Sequence, residues 1–515
     1  MAAWDDGYVT DVTYTSNFFR ETTPAWLAMT ALLTGHRPPD LTRPFRYADL
    51  GCGHGLTAIV VAASCPQAEV WGFDFNPAHI ESARELAARA GLTNVRFREI
   101  SFADLAALPV DALPDFDFMV SHGVLSWVSP ENQRHLVATI GQRLRPGGLV
   151  YLSYNVATGW GAMPPLRTLM RLLMLSGQLR TDQAASGVLD YLDRMKQADA
   201  QFFTANPELE QRLAEIRKQD PRYIAHEFLN QDWHPLMFAD MAKSMACVKC
   251  VYIGSATLTE NIDVVSVPQT MTDLIKGAPD VVLRETLRDF AAAKEFRRDI
   301  FRRGTLPLAA AEHAILVDTL GLEWLGQAVD EPIRLTTPTG TVTGLAELYG
   351  PLVEMFKAGS CTIGAIRSHA TFTDCPLADL LQACALMIVN GYVHPAMPKV
   401  VQMAARAGTD RLNAAIGEVG ASGGEVGQLV SPVIGSAVRS DLLETLMVRE
   451  KASGRPMDTD GLTERLLAVF DQTGRLVWRD GRPAEGLSQG RAFVQASVTA
   501  LLEHRIPIMV RLGII

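Results

Sequence analysis

The sequence has few of the features that mark secreted and membrane-spanning proteins. Its 515 residues contain only seven scattered cysteines, so we expect no disulfide framework, and a reducing cytoplasm is the simplest setting. No stretch approaches the roughly 18 consecutive apolar residues that a membrane-spanning helix requires. Residues 1–20 lack a basic segment followed by an apolar run, so we expect neither a secretory signal nor membrane insertion.

Positive charge is also in deficit. The chain has 47 Lys and Arg residues against 57 Asp and Glu residues, which gives a net charge of -10. Because binding to nucleic acid requires clustered positive charge to neutralise phosphates, we expect no nucleic-acid partner. The remaining composition, 48% hydrophobic and 20% charged residues, is that of a globular protein, and the length suggests about two to four domains.

Short apolar segments alternate with helical patterns between residues 47 and 155. Strands are predicted at residues 47–50, 69–74, 94–98, 116–121 and 149–154, with helices at 56–63, 77–90 and 131–144 and a turn at 145–148. This alternation predicts an α/β fold with a Rossmann-like core, a doubly wound and mostly parallel sheet. Residues 250–256 and 296–301 are predicted as late strands that complete the sheet.

A glycine-rich turn, DLGCGHG at residues 49–55, follows the first predicted strand. Gly51, Gly53 and Gly55 allow a tight turn and a close approach to a ligand, and the following helix offers unpaired N–H groups. The spacing differs from the G-x-G-x-x-G pattern of dinucleotide sites. Asp49 would repel a pyrophosphate but suits the ammonium group of a methionine moiety. These features favour S-adenosylmethionine (SAM) as the ligand.

Three further positions at strand ends are predicted to contact the adenosine of SAM. Asp74 ends the second strand, where a carboxylate accepts hydrogen bonds from both ribose hydroxyls; the alternative for such an Asp is a helix cap. Phe75 is expected to lie against the adenine. After the third strand, Ser101 is expected to accept a hydrogen bond from the adenine amino group, and the backbone of Phe102 to meet the ring.

Polar and aromatic side chains follow the fourth and fifth predicted strands at the same edge of the sheet. His122 is expected beside the methionine part of SAM or the methyl acceptor, with a structural hydrogen bond as the alternative. Trp127, Tyr154 and Asn155 are predicted to form an acceptor pocket with His122, although Trp127 could equally be a core residue. We assign these four residues to catalysis and leave the general base unassigned.

No metal site is predicted. His226 and Glu227 begin like the H-E-x-x-H motif of zinc proteases, but residue 230 is Asn rather than His. Cys247 and Cys250 have metal-like spacing without a second pair, and their apolar neighbours predict two core thiols.

Several longer stretches resemble one group of class I SAM-dependent methyltransferases. They are YTSNFFRETTP (14–24), SHGVLSWV (121–128), VYLSYN (150–155) with Gly159 and Trp160, HEFLN (226–230) and SPVIG (431–435). They are similar to the rickettsial lysine methyltransferases that modify an outer-membrane protein and carry a methyltransferase regulatory domain. The resemblance implies S-adenosyl-L-methionine as the cofactor and a lysine-bearing protein as the substrate, and it is compatible with a homodimer. Tyr14 is placed at the cofactor site.

The sequence patterns, with the dimerisation and winged-helix-like modules that the resemblance implies, divide the chain into six parts. They are an N-terminal segment that covers the cofactor site (1–46), the SAM-binding core (47–160), a helical insertion for a lid or dimerisation (161–230), the rest of the methyltransferase sheet (231–305), a regulatory or winged-helix-like domain (306–400) and a C-terminal domain (401–515). The part after residue 305 is expected to be mainly helical.

The sequence therefore predicts a SAM-dependent methyltransferase, with a protein-lysine N-methyltransferase as the first hypothesis. At Leu125, on the acceptor side, the related group carries Tyr. The alternatives are a methyltransferase for a metabolite or natural product, with accessory dimerisation domains, and a SAM-binding regulator without turnover.

Overall fold

A seven-stranded sheet organises the first three hundred residues. The computed structural model describes residues 17–176, 181–219, 230–304, 306–424, 426–475, 478–479, 482–483 and 487–515. The strands are β1 (Phe45–Leu50), β2 (Ala68–Asp74), β3 (Val95–Glu99), β4 (Phe116–Ser121), β5 (Leu144–Asn155), β6 (Cys250–Ser255) and β7 (Phe296–Arg303). Their order is β3-β2-β1-β4-β5-β7-β6. Neighbours among β1 to β5 are parallel, and β7 is antiparallel to both β5 and β6.

Helices cover both faces of this sheet, as the predicted doubly wound fold requires. They are α1 (Pro24–Leu33), α2 (Leu56–Ser64), α3 (Pro77–Arg89), α4 (Phe102–Ala107) and α5 (Pro130–Arg143). On β4, Phe118 and Val120 join the apolar cluster under α1, α2 and α3, whereas Met119 joins the cluster under α4 and α5. Burial on both faces explains why β4 is apolar at most of its positions.

Of the six described helices between β5 and β6, the first five lie before residue 217. They are α6 (Ala157–Trp160), α7 (Met163–Ser176), α8 (Thr181–Gln197), α9 (Gln201–Ala205) and α10 (Glu208–Ile216). Met170, Leu192 and Trp233 belong to an apolar core of their own beside the sheet. Next to β6 and β7 lie α11 (Phe238–Cys247), α12 (Asp263–Ser266), α13 (Thr272–Lys276) and α14 (Val281–Ala291).

The part after β7 is mainly helical. Its helices are α15 (Ala310–Asp318), α16 (Ala346–Ala358), α17 (Ile363–Arg367), α18 (Leu377–Val389), α19 (Lys399–Ala421), α20 (Leu442–Ala452), α21 (Thr459–Thr473), α22 (Leu487–Ala500) and α23 (Ile506–Arg511). Its short strands are β8 (Gly321–Trp324), β9 (Arg334–Thr337), β10 (Gly340–Thr343), β11 (Cys361–Thr362), β12 (Val393–Ala396), β13 (Gln428–Ser431), β14 (Ser436–Arg439), β15 (Trp478–Arg479) and β16 (Arg482–Pro483). The winged-helix assignment within 306–400 stays a prediction.

The C-terminal part packs directly on the core. A Cβ at Gly408 of α19 would lie 2.8 Å from the carbonyl oxygen of Ala63 in α2. The helices α19 and α2 therefore contact each other through their backbones. Arg411 of α19 also donates a hydrogen bond to the carbonyl of Ala90. Among the helices that the structure describes, none is both long and apolar enough to cross a membrane.

The structure assigns residues 145–148, the predicted turn, to β5, but none of them has a partner in register on β4 or β7. Those residues lie inside β5, which begins at Leu144 and pairs with β4 from Phe116 onward, with an irregular register before Phe118. Gly147 has a φ of 84°, so the glycines bend the strand locally without ending it.

Candidate cofactor and acceptor site

A cavity lies at the carboxyl ends of the parallel strands, the edge at which doubly wound sheets bind ligands. Its wall includes eight of the predicted site residues, Gly51, Gly53, Asp74, Phe75, Ser101, Phe102, His122 and Trp127. The wall also includes Asn17 and Phe19 of the N-terminal segment. The structure therefore brings residues from distant parts of the chain together around one space.

The glycine turn folds back onto β2 before α2 begins. The backbone N–H groups of Gly51 and Cys52 both donate to the carbonyl of Phe73, at 2.8 and 3.0 Å. Gly55 precedes α2 with a φ of 71°, and a Cβ there would come within 2.6 Å of the Phe97 ring. Larger residues at Gly55 would therefore meet both backbone strain and a steric clash.

Asp74 fastens this turn to the end of β2. Its carboxylate accepts hydrogen bonds from the backbone N–H groups of Gly53 at 2.8 Å and Asn76 at 2.9 Å. The Nδ1 atom of His79 lies 3.3 Å away. The helix-cap alternative does not apply, because the side chain of Asn76 caps α3 by accepting from Ala78 N–H. Asp74 instead presents a buried carboxylate to the cavity.

Asp49 is a second buried acid. It lies two residues before Gly51, which is part of the cavity wall. Its exposure is 6%, and no residue within the described ranges donates a hydrogen bond to its carboxyl group. Burial, with repulsion from Asp74 as a smaller contribution, raises the pKa of Asp49 to about 7. A cation in the cavity would favour the ionised form, and both the sulfonium and the ammonium of SAM are cations.

Ser101 lies in the cavity wall and also caps a helix. Its hydroxyl accepts from the N–H of Asp104 at 3.1 Å and donates to the carboxylate of Asp104 at 2.8 Å. Because the hydroxyl hydrogen is donated to Asp104, Ser101 can only accept a hydrogen bond from a ligand, through the remaining lone pair of its oxygen.

His122 is held from two sides. Its Nδ1 atom lies 2.7 Å from the hydroxyl of Tyr151, and its ring stacks on Phe19 with 3.5 Å between the centroids. Burial, and to a smaller extent the charge of Arg298, lowers the pKa of His122 to about 3. The imidazole is therefore neutral near pH 7, and the structural hydrogen bond left open by the sequence is present.

The structure places Tyr154 and Asn155 outside the cavity wall, contrary to their predicted place in the acceptor pocket. Tyr154 is 1% exposed, and its hydroxyl donates to Asp299 at 2.6 Å. Asn155 is also buried, and its backbone N–H donates to the hydroxyl of Ser126. For Tyr154 the physical reason is the alternation of side chains in β5, because Tyr151 faces the His122 side of the sheet and Tyr154 the opposite side.

Tyr154 belongs to a buried charged group centred on Arg297. This guanidinium donates to Asp299 at 2.9 Å, to Asp289 at 2.6 Å and to Glu285 at 2.9 Å. All four charged side chains are at most 3% exposed. Burial raises the pKa of Asp289 and Asp299, while Arg297 opposes that change. The group ties α14 to β7, away from the cavity.

Trp127 joins the cavity to the helices between β5 and β6. Its ring lies 6.2 Å from that of Trp233, which in turn lies 5.2 Å from Trp160. The indole N–H of Trp160 donates to the carbonyl of Glu295. The two readings of Trp127 are therefore compatible, because it is both a wall residue and part of a packed aromatic cluster.

Some cavity residues were not predicted, and some predictions cannot be examined. His54 and His79, with ring centroids 4.6 Å apart, line the cavity, and nothing in the sequence marked His79. Tyr14, His226 and Glu227 lie outside the described residues. Within the described ranges, no His, Cys, Asp and Glu group could hold a metal ion. Of the two expected core thiols, Cys250 is buried but Cys247 is exposed.

Comparison with known sequences identifies the family. A model described as a methyltransferase domain matches residues 48–148, and one described as a predicted methyltransferase regulatory domain matches residues 220–303. The chain is 32% identical over 514 residues to an uncharacterized protein of Synechocystis sp., with 99% of both chains covered. The chain belongs to the class I SAM-dependent methyltransferases that carry this regulatory domain. The methyltransferase uses SAM as its cofactor.

Two further comparisons cover the methyltransferase to very different extents. PKMT2 from Rickettsia typhi, solved in complex with AdoHcy, covers 97% of this chain and is itself covered in full, with a TM-score of 0.71 and 18% identity. This match confirms the Rossmann-like fold with its helical C-terminal region. Trans-aconitate 2-methyltransferase of Methylobacterium radiotolerans is 33% identical over 164 residues, which is 32% of this chain and 56% of that enzyme.

Proposed function

We propose that the methyltransferase transfers a methyl group from SAM to a lysine amine of a protein substrate. The observation that carries this proposal is the extent of the likeness to PKMT2, which spans 97% of this chain. The match to trans-aconitate 2-methyltransferase covers about a third of the chain. Domains beyond the catalytic core can provide docking surface for a protein substrate.

In this proposal Asp74 accepts hydrogen bonds from the ribose hydroxyls. A carboxylate has about four acceptor positions, and the N–H groups of Gly53 and Asn76 occupy two of them. The other two are open to the two hydroxyls when the Nδ1 atom of His79 carries no hydrogen. Asp49 then lies on the side of the methionine ammonium, and Ser101 and Phe102 on the side of the adenine.

The acceptor amine approaches between Phe19, His122 and Trp127. Bound SAM supplies a methyl group on a sulfonium that leaves as a neutral thioether. A lysine ammonium must first lose its proton, which costs about 4 kcal/mol near pH 7.5 for an ordinary lysine pKa. The buried, largely apolar wall favours the neutral amine. With a pKa of about 3, His122 is too weak a base to take this proton, so we assign it to shaping the wall.

The second candidate is methyl transfer to a small carboxylic acid. The matches to trans-aconitate 2-methyltransferases, at 33% identity over 164 and 168 residues, favour it. In this case the product is a methyl ester rather than a methylated amine.

Labelled SAM separates the two candidates. The methyltransferase is incubated with labelled SAM and a cell lysate that is afterwards separated by size, with trans-aconitate added to a parallel sample. Label in macromolecules that survives base hydrolysis of methyl esters supports a lysine acceptor. Label confined to small molecules, or lost on base treatment, contradicts it. The Asp74→Ala variant provides the background for both samples.

A further inference from the structure

A second cavity, of about 570 Å³, lies on the other side of the N-terminal segment. Phe18, Arg20 and Glu21 form one wall, and residues of the C-terminal part form the other, among them His394, Arg439 and Arg505. The volume is within the range of small-molecule sites, roughly 300–1,000 Å³. None of its residues belongs to the cofactor cavity described above.

The charges around this cavity favour an anion. Three arginines face a single acid, Glu21, whose carboxylate lies 4.0 Å from Arg20. Arg505 pairs with Glu444 at 2.6 Å, but Arg439 has no ion pair with any residue that the structure describes. Two guanidinium groups can bind a carboxylate or phosphate through paired N–H donors, so a negatively charged ligand would complete the site.

His394 supplies the second observation. It is 2% exposed, and its Nδ1 lies 2.8 Å from the carbonyl oxygen of Pro395, so Nδ1 carries the hydrogen. The buried Nε2 atom has no hydrogen-bond partner among the described residues. Burial and the charge of Arg20 lower the pKa of His394 to about 3, so Nε2 is a bare acceptor. A buried acceptor that lacks a hydrogen bond is unfavourable, and a ligand hydroxyl would supply that bond.

We propose that this cavity binds a small hydroxylated anion, with its charge on Arg439 and Arg505 and its hydroxyl donated to Nε2 of His394. We further infer that the bound anion favours SAM binding. Phe18 and Arg20 border the second cavity, while Phe19, between them, stacks on His122 in the cofactor cavity. An anion that holds Phe18 and Arg20 in the second cavity therefore also fixes Phe19 in the wall of the cofactor cavity. This coupling rests on the proposed cofactor site, whereas anion binding does not.

Calorimetric titration with three probes tests the binding. Citrate carries a hydroxyl, tricarballylate is the same tricarboxylate without it, and glycerol 3-phosphate replaces carboxylate by phosphate. One hydrogen bond of about 1.5 kcal/mol makes citrate bind about tenfold tighter than tricarballylate. Whichever of citrate and glycerol 3-phosphate binds with the higher affinity shows whether the site prefers a carboxylate or a phosphate. If neither binds at millimolar concentrations, the proposed site is wrong.

Two variants locate the binding. Arg439→Gln should weaken citrate about tenfold, whereas Arg43→Gln, the same change at an exposed position, should not. His394→Asn keeps an N–H near the Pro395 carbonyl but removes Nε2, so citrate and tricarballylate should bind it equally. A citrate preference that persists in His394→Asn, with thermal unfolding unchanged, overturns the assigned hydroxyl contact. Citrate displaced by AdoHcy in competition would place it in the cofactor cavity and overturn the second site.

The coupling is measured as the affinity for AdoHcy with and without saturating citrate. We expect several-fold tighter binding with citrate, and the same factor for citrate with AdoHcy, since coupling is reciprocal. Equal affinities overturn the coupling but leave the anion site intact. If Asp74→Ala leaves AdoHcy binding unchanged, the proposed cofactor site fails instead, and citrate titration without AdoHcy still reports on the second cavity.

Discussion

Two groups of buried acids lie in the sheet and in a helix packed against it, and their surroundings differ. Among the residues that the structure describes, no Lys or Arg pairs with Asp49 or Asp74, near the ends of β1 and β2; the Nδ1 atom of His79 lies 3.3 Å from Asp74. Asp289 of α14 and Asp299 of β7 surround the guanidinium of Arg297. Since an unpaired buried charge is costly, the paired group is explained by folding alone, whereas the acids near the cavity call for a cationic or hydroxyl-bearing ligand.

The largest expected effect comes from removing the cation of the paired group. Arg297→Met removes the cation that three buried acids share. Glu285 keeps Arg288 and Asp299 keeps the Tyr154 hydroxyl, but Asp289 loses its ion pair, so we expect the free energy of unfolding to fall by about 3–5 kcal/mol. Denaturant titration measures this loss, with Arg43→Gln as the exposed control. A loss under about 1 kcal/mol would mean that the paired group does not stabilise the fold.

Replacing Asp49, which has no ion pair with any described residue, should stabilise the fold rather than destabilise it. Its pKa in the folded protein, about 7, lies above its unfolded value of about 3.9. Ionisation therefore costs the folded state nothing below about pH 4, and the cost grows until the pH passes 7. Asp49→Asn should be more stable than the parent, by a margin that grows about 2 kcal/mol between pH 5.5 and pH 8.

The same substitution should weaken SAM binding, because the negative partner of the ammonium is lost. Denaturant titrations at the two pH values and one SAM titration at pH 8 measure both effects. A variant whose stability margin is independent of pH would show that Asp49 does not titrate in this range.

A substitution at Tyr154 tests whether this residue belongs to the group around Arg297 or to the acceptor pocket. Tyr154→Phe removes the hydroxyl that donates to buried Asp299, so we expect a loss of about 1–2 kcal/mol in unfolding free energy. Because Tyr154 is outside the cavity wall, kcat and KM for methyl transfer should not change. A large fall in kcat with little loss of stability would contradict this placement and support a role for Tyr154 in the acceptor pocket.

The smallest effect is expected at Phe19. Phe19→Ala removes the ring that stacks on His122, an interaction worth about 0.5–1.5 kcal/mol, so the Kd for AdoHcy should rise roughly three- to tenfold. Phe290→Ala, at a 64% exposed position, serves as the control. An unchanged Kd would mean that the N-terminal segment does not close the cofactor cavity.

The sequence predicted the parallel half of the sheet well because its signals are local. Apolar runs ending in Asp49 and Asp74, with glycines between them, specify strands, turn and ligand edge within about thirty residues. The late strands were also predicted correctly, as β6 and β7 at Cys250–Ser255 and Phe296–Arg303. Such patterns do not depend on distant parts of the chain.

The acceptor side was predicted less well, for a geometric reason. In a strand buried on both faces, apolar alternation does not tell which face meets the cavity, so Tyr154 was chosen where Tyr151 contacts His122. The stacking of Phe19 on His122 joins positions about a hundred residues apart, and no local pattern contains it. The second cavity depends on contacts between the N-terminal segment and residues beyond 320, which only the folded chain reveals.

The most direct test of the cofactor site compares AdoHcy with its 2′-deoxy analogue in two proteins. If Asp74 accepts from the ribose hydroxyls, the parent enzyme should bind AdoHcy at least about tenfold tighter than the deoxy analogue, the value of one hydrogen bond to a charged group. Asp74→Asn should bind both more weakly and discriminate far less, because the hydroxyl and the carboxylate act as a coupled pair. Equal affinity of the parent enzyme for the two ligands would contradict the assignment.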